Sequence, residues 1–392
     1  MSPALITRLE KDLNAANEAG TYKRLKSIES PIGARIKLLG KGEVTLLSSN
    51  DYLGFANHPE IIAAAKKALD EYGASTASVR FICGTQDVHQ KLEQELATFH
   101  GTESALTYSS CWAANTGLFS AISGPGDVIL SDELNHASLI DGIRMTAKGV
   151  IRGVYKHSDM GDLEEKLRTH QNADSRMIVT DGVFSMEGDI ARLDEIVALA
   201  KIYDAIIVLD DSHGLGVMGH TGLGTAEHFG VMDQIDIFTG TLGKALAAGT
   251  GGFVAGPKPV TETLIQKSRP HLFSNALPAS VAAAGRKSLQ LLKQSPERVT
   301  KLQTKAAAFR ARLNELNLNP LPGDSAVVPV IVGETATAIH LASELLDRGI
   351  FVTGFGFPVV PEGEARLRFQ VSAAHTDGQL EEAATLLKDL LN

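Results

Sequence analysis

After Pro59, apolar residues recur at Ile61, Ile62, Ala65 and Leu69, which predicts an amphipathic helix with Pro59 in its first turn. Val88, Leu92, Leu96 and Phe99 repeat the spacing and predict a second helix. Short unbroken apolar runs at 128–130, 177–179, 205–209, 235–238 and 252–255 then alternate with helical stretches. Such runs read as buried strands, and their alternation with helices predicts a mainly parallel sheet covered on both faces. From Pro278 the texture changes. Ala-, Leu- and Lys-rich helical sequence continues to 316, followed by short strands at 327–332 and 366–371 and a last amphipathic helix at 379–391. The pattern divides the chain into an N-terminal arm at 1–55, a large α/β domain at 56–280 and a small α+β C-terminal domain at 281–392. There are no internal repeats and no low-complexity linkers.

Composition narrows the class of protein. The chain has 392 residues, 44% hydrophobic and 21% charged, within the globular range, and its length suits two or three domains. Its 37 basic and 46 acidic residues leave a net charge of −9 without basic tracts. That argues against nucleic-acid partners, whose phosphates need neutralising. Cys83 and Cys111 alone build neither a disulfide framework nor a cysteine metal site. The N-terminus lacks the apolar core of a signal peptide, and no run approaches the roughly 20 apolar residues of a membrane span. The expectation is a soluble, cytoplasmic protein with no membrane partner.

Three polar clusters follow predicted strands, where open α/β sheets place their ligands. Asp210-Asp211-Ser212-His213 sets an aspartate and a histidine three apart. Thr239-Gly240-Thr241-Leu242-Gly243-Lys244 sets a lysine among small residues, where partial burial would lower its pKa and sharpen it as a nucleophile. Asn135-His136-Ala137-Ser138 follows the strand ending near Asp132, and Asn135 suits a helix cap. Singly, each has a plain reading as an acidic loop, a surface lysine or a cap. A metal site at Asp210 and His213 has no third ligand at recognisable spacing to complete it.

Neighbouring motifs lead elsewhere and fail. Phe238 and Ala245 break the P-loop pattern around Lys244. Gly214-Leu215-Gly216-Val217-Met218-Gly219 matches GxGxxG, but no helix opens after it. Val183 occupies the first glycine position of a GxSxG elbow at Ser185. Together the three clusters suit pyridoxal phosphate. A lysine bonds the cofactor, a carboxylate keeps its ring nitrogen protonated, and an imidazole covers the ring.

Five ordered blocks carry a family likeness. They are Ser48-Ser49-Asn50-Asp51-Tyr52-Leu53-Gly54, Asn135-His136-Ala137-Ser138, the run from Asp181 to Asp189, Asp210-Asp211-Ser212-His213, and the run from Thr239 to Lys244. The chain resembles the α-oxoamine synthases, fold-type I pyridoxal-phosphate enzymes that condense an amino acid with an acyl-CoA. Ala77-Ser78-Val79-Arg80-Phe81-Ile82-Cys83-Gly84, Ser268-Arg269-Pro270 and Leu272-Phe273-Ser274-Asn275 look like the members that join glycine to acetyl-CoA.

The resemblance implies a role for each matching residue. Lys244 bonds the cofactor and moves the glycine α-proton. Asp210 pairs with the pyridine nitrogen, His213 meets the phenolic oxygen and His136 stacks on the ring. The backbone at Cys111 and Trp112, with the Thr241 hydroxyl, holds the phosphate. Phe273 and Ser274 reach that phosphate from the second subunit of a homodimer. Asn50 and Ser185 contact substrate and cofactor oxygens, and Arg368 clamps the substrate carboxylate, a task suited to a guanidinium fork.

The chain departs from those acetyl-transferring members at Gly73-Ala74-Ser75-Thr76, Trp112-Ala113 and Gly356-Phe357, near the expected acyl pocket. The alternative within the family takes alanine and a pimeloyl thioester, or a broader range of thioesters. Rivals from other classes are a cofactor-binding protein without turnover and a metal enzyme built on Asp210, Asp211 and His213.

Overall fold

The computed structural model describes residues 3–391. The chain forms two compact units. The larger comprises Asp51–Ser185 and Asp189–Gln303; the smaller comprises the residues up to Asn50, Met186–Gly188 and Thr304 onward. Residues 281–303, which the change of texture assigned to the C-terminal domain, lie with the larger unit.

The larger unit is built on seven strands: β1 (Ser104–Tyr108), β2 (Val128–Asp132), β3 (Ile151–Tyr155), β4 (Arg176–Asp181), β5 (Ile206–Asp210), β6 (Ile237–Thr241) and β7 (Gly252–Gly256). Their order in the sheet is β1-β7-β6-β5-β4-β2-β3. The five strands from β6 to β3 run parallel; β7 alone is reversed, antiparallel both to β6 and to the edge strand β1, which points the same way as the five. This is the mainly parallel sheet that the apolar runs predict. Every residue of β2 is buried, as expected of a strand covered on both faces. Leu106, Leu118, Ile129, Val179, Val208 and Val254 belong to one continuous core, which pins the sheet to the helix Cys111–Ile122.

The two helices read from periodicity form at Pro59–Tyr72 and Asp87–His100. Pro59 opens the first, and Gly101 ends the second in the left-handed region at φ 68°. One boundary shifts. In the run at 235–238, which follows the short turn Met232–Gln234, the strand starts only at Ile237 and extends to Thr241. Thr239 and Gly240 therefore pair in the ladder instead of turning. Gly240 is required there, because a Cβ would stand 2.8 Å from the Phe253 ring.

The smaller unit holds two three-stranded sheets. Arg35–Leu38 and Gly42–Leu46 form a hairpin joined in parallel by Ile350–Phe351. Val327–Gly333, Ala365–Gln370 and Thr353–Phe355 form the second, entirely antiparallel. The region read as an arm thus contributes a helix, Pro3–Glu18, and two paired strands. Among the described residues no helix is long and apolar enough to cross a membrane.

Candidate active site

Four parallel strands of the larger unit deliver polar residues to their carboxyl ends. Asp132 ends β2, Asp181 ends β4, Asp210 ends β5 and Thr241 ends β6. Asp210 is 3% exposed. Its carboxylate accepts from Asn115 Nδ2 at 2.6 Å and Ser212 N at 3.0 Å, and the Cys111 Sγ lies 3.7 Å away. Burial of the Cys111 thiol, reinforced by the Asp210 charge, raises its pKa well above the usual thiol range, so it stays protonated.

His136 stands on the far side of the same carboxylates. The structure makes His136, and not Asn135, the cap of the helix Ala137–Arg144: its Nδ1 accepts from Ser138 N at 3.2 Å. Asn135 instead ties two strands together, donating to Ser131 Oγ and the Val179 carbonyl and accepting from Asp181 N at 2.7 Å. Burial lowers the His136 pKa, Asp210 opposes that shift, and Lys244 adds to it. The ring is therefore neutral near pH 7, with its proton on Nε2. The Trp112 indole meets it edge-on, 6.0 Å between centroids.

Lys244 follows β6 through a turn that Thr241 fastens. Thr241 Oγ1 donates to the Gly251 carbonyl at 3.1 Å and accepts from Gly243 N at 3.1 Å. The ammonium is near enough to influence Cys111, His136 and Asp181. On the other flank, His213 Nδ1 lies 2.8 Å from the hydroxyl of the fully buried Tyr52, which fixes the ring.

The helix Cys111–Ile122 begins beside β7. Ser110 caps it by accepting from Ala113 N at 3.1 Å, a bond that uses neither the Cys111 nor the Trp112 N–H. Gly252 allows the close approach, since a Cβ there would meet Cys111 N at 2.3 Å. A helix end with N–H groups to spare is an anion site, which suits a phosphate. Asp211 takes no part: its carboxylate turns to Thr225, accepting from N at 2.7 Å and Oγ1 at 2.8 Å. Cβ atoms at Gly182, Gly214 or Gly224 would each strike it. Among the described residues no group of three His, Cys, Asp or Glu is arranged to hold a metal ion.

The remaining sequence assignments fall elsewhere. Ser185 is half-buried just beyond β4. Phe273, 70% exposed, and Ser274, also exposed, close the short helix Arg269–Phe273. Asn50 and Arg368 belong to the smaller unit, where Asn50 Oδ1 accepts from Gln370 and Arg368 lies over the Phe355 ring at 4.6 Å. The neighbouring Arg366 is buried and engaged by Glu187, Glu364 and the Met186 carbonyl. Asn115, Ser138, Asp181 and Tyr52 escaped the sequence reading as site residues. Tyr52, Ser138 and Asp181 lie within the blocks that carry the family likeness, and Asn115 falls four positions after Cys111, hence on the same helix face.

The amine, the buried carboxylate, the neutral imidazole and the helix end together fit pyridoxal phosphate. The sequence profile of the family Aminotransferase class I and II matches residues 42–387. The chain belongs to that family. A protein of Escherichia coli K12 named 2-amino-3-ketobutyrate coenzyme A ligase is 46% identical over 378 residues, covering 96% of this chain and 94% of its own. The 8-amino-7-oxononanoate synthase of Bacillus pumilus SAFR-032 is 42% identical over 383 residues, with coverages of 98% and 97%. A solved structure described as SPT with a PLP internal aldimine superposes with a TM-score of 0.92 at 30% identity, covering 98% of this chain and 97% of that one. The chain therefore has the fold-type I architecture along nearly its whole length.

Proposed function

We propose that this chain is a pyridoxal-phosphate-dependent acyltransferase that joins glycine to acetyl-CoA, yielding 2-amino-3-oxobutyrate and CoA, and serves threonine breakdown in the reverse direction. The observation that carries the cofactor half is the convergence of Lys244, Asp210 and the helix end at Cys111 on one sheet edge. The E. coli relative supports the choice of substrates. A cytoplasmic location is part of the same proposal.

Pyridoxal phosphate, when bound, supplies an electron sink that makes the glycine α-proton removable near neutral pH. Asp210, oriented by Asn115 and Ser212, holds a proton on the ring nitrogen. Lys244 would bond the cofactor, and its amine would carry the glycine α-proton. His136 would cover the ring as a neutral imidazole, and His213, fixed by Tyr52, would hold the phenolic oxygen. The N–H groups of Cys111 and Trp112 take the phosphate, with Thr241 beside them and Ser185 at the cofactor's oxygens. Arg368 and Asn50 bind the amino-acid substrate, an assignment that rests on the sequence match. Phe273 and Ser274 act across a homodimer, which suits their exposure in the single chain.

The 42% relative keeps a second reading in play, a synthase that takes alanine and a longer thioester. A CoA-release assay over a matrix of amino acids and acyl-CoAs separates them, with Lys244→Ala as the inactive control. Glycine with acetyl-CoA as the best pair supports the proposal. Alanine with a long-chain thioester as the best pair replaces it.

A further inference from the structure

One amide side chain touches two of the polar groups that converge on this sheet edge. Asn115 is fully buried on the helix Cys111–Ile122. Its Nδ2 donates to Asp210 Oδ2 at 2.6 Å and to Ser138 Oγ at 2.9 Å. Ser138, also buried, has its hydroxyl 2.8 Å from His136 Nδ1.

The proton directions follow from these contacts. At 2.6 Å from a carboxylate, the amide must present its nitrogen, because an amide oxygen there would repel the charge. Both amide protons are then committed, one to Asp210 and one to Ser138. With its oxygen occupied by that donor, the Ser138 hydroxyl is directed to give its own proton to His136 Nδ1. His136 Nδ1 also accepts from the Ser138 backbone N–H. The imidazole is thereby held as the Nε2–H tautomer. The amide oxygen is left buried with no hydrogen-bond partner among the described residues. An orphaned acceptor in a packed interior is costly, and it is retained here alongside a nitrogen that serves two partners at once.

We propose that Asn115 is a positioning residue that couples Asp210 to His136 through Ser138, fixing the carboxylate's orientation and the imidazole's tautomer with one amide. The groups facing this chain of bonds are Asp210 and Asp181 from the strand ends, Lys244 from the turn after β6, and the Cys111 thiol one helical turn before Asn115. None of them donates to His136 Nδ1, so Ser138 alone sets that nitrogen as an acceptor. The inference rests on the proposed pyridoxal-phosphate site for its meaning, while the bond chain belongs to the protein itself.

The test uses Asn115→Leu, which keeps approximate volume, and Ser138→Ala, which removes one oxygen. In each full-length chain, prepared without cofactor, nitrogen NMR reads the His136 tautomer and its titration, and pyridoxal phosphate affinity is measured in parallel. Wild type is expected to show a single Nε2–H tautomer. Both variants should show a mixture of tautomers with a raised His136 pKa, since Nδ1 loses the directed hydroxyl donor and keeps only the longer bond from the Ser138 backbone N–H. Asn115→Leu alone should also weaken pyridoxal phosphate binding roughly tenfold to a hundredfold, by loosening Asp210. A packing role would leave the tautomer unchanged. Retention of the wild-type tautomer and titration in both variants overturns the proposal. If wild type binds no pyridoxal phosphate, the cofactor reading fails, and the tautomer measurement still decides the coupling by itself.

Discussion

Asp181 and Asp210 are register partners on adjacent parallel strands, so two buried carboxylates end side by side at the site. Two neighbouring anions do not share a buried edge on equal terms. Burial raises the Asp181 pKa well above the carboxylate range, the Asp210 charge raises it further, and the His136 N–H at 2.7 Å pulls it back. Asp210 collects the stronger donor set, with Asn115, Ser212 and the thiol of Cys111. Asp210 is therefore the member with more donors around its carboxylate.

Asp210→Asn should consequently depress turnover roughly a hundredfold to a thousandfold, the usual cost of removing a preorganised charge from a reacting centre. Pyridoxal phosphate binding should weaken less, because the helix end, Lys244 and His136 remain. Steady-state kinetics beside an absorbance titration of the cofactor checks this. Near-normal turnover in the variant would end the assignment of Asp210 to the ring nitrogen.

Much of this edge was legible in the sequence, and the reason is local. Asp210, His213, Lys244 and His136 sit within a few residues of apolar runs, so a strand assignment places them directly. Asn115 and Ser138 are invisible at that level, because their bond joins two helices separated by 23 positions and Asp210 lies 95 positions further from Asn115. Asn135 was misread as a cap because the pattern does not distinguish a side chain turned to its own helix from one turned to the next strand. β3 was missed for a different cause. It is an edge strand with Val154 58% exposed and Ile151 41% exposed, so neither an apolar run nor clean alternation marks it. Gly356 opens no space, because a Cβ there would fall 2.2 Å from Thr335 Oγ1.

His157 bridges Asp132 Oδ1 at 3.0 Å and Asp189 Oδ2 at 2.8 Å. Burial works to lower its pKa, but the two carboxylate bonds overcome it and raise the value to about 10. A folded-state pKa above the unfolded value near 6.5 stabilises fully below pH 6.5 and is lost as pH rises through the folded value. Wild type should therefore lose stability relative to His157→Gln between about pH 6.5 and 10, with a slope of at most about 1.4 kcal/mol per pH unit. Denaturant midpoints across that range measure it. Parallel curves for the two proteins would show that His157 is not held charged.

Shared sites make a distinct prediction. Lys244→Ala removes the lysine of one site, while Ser274→Arg blocks the contribution an exposed segment makes to the other. In a two-fold dimer each hybrid carries one site with both lesions and one with neither. Random mixing of the two inactive variants should restore about a quarter of wild-type activity, since half the dimers are hybrids with one intact site. Native mass spectrometry confirms hybrid formation. Hybrids formed in good yield yet inactive would mean that each subunit completes its own site.

Acyl preference is where the family likeness and the local sequence are in tension. The likeness points to acetyl-CoA. Trp112 is a larger residue than the phenylalanine usual at that place, and Ser75 and Thr76 add side chains where glycine would leave room. The indole meets the His136 ring edge-on, 6.0 Å between centroids, which sets its bulk beside that imidazole. At Gly356 the place of a Cβ is taken by Thr335, so the missing side chain adds no room. The added bulk of Trp112, Ser75 and Thr76 therefore argues for a short acyl pocket. Each methylene refused by an apolar pocket is worth only about 1–3 kcal/mol, so discrimination should be graded instead of absolute. With glycine as acceptor, kcat/KM should fall stepwise from acetyl-CoA through propionyl-CoA to hexanoyl-CoA, by roughly tenfold or more at the first step, and alanine should react poorly. Trp112→Phe should flatten the series by admitting the longer chains while leaving acetyl transfer within a few-fold. Longer thioesters that match or exceed acetyl-CoA in the unmodified enzyme would replace the acetyl assignment with a broad-specificity α-oxoamine synthase.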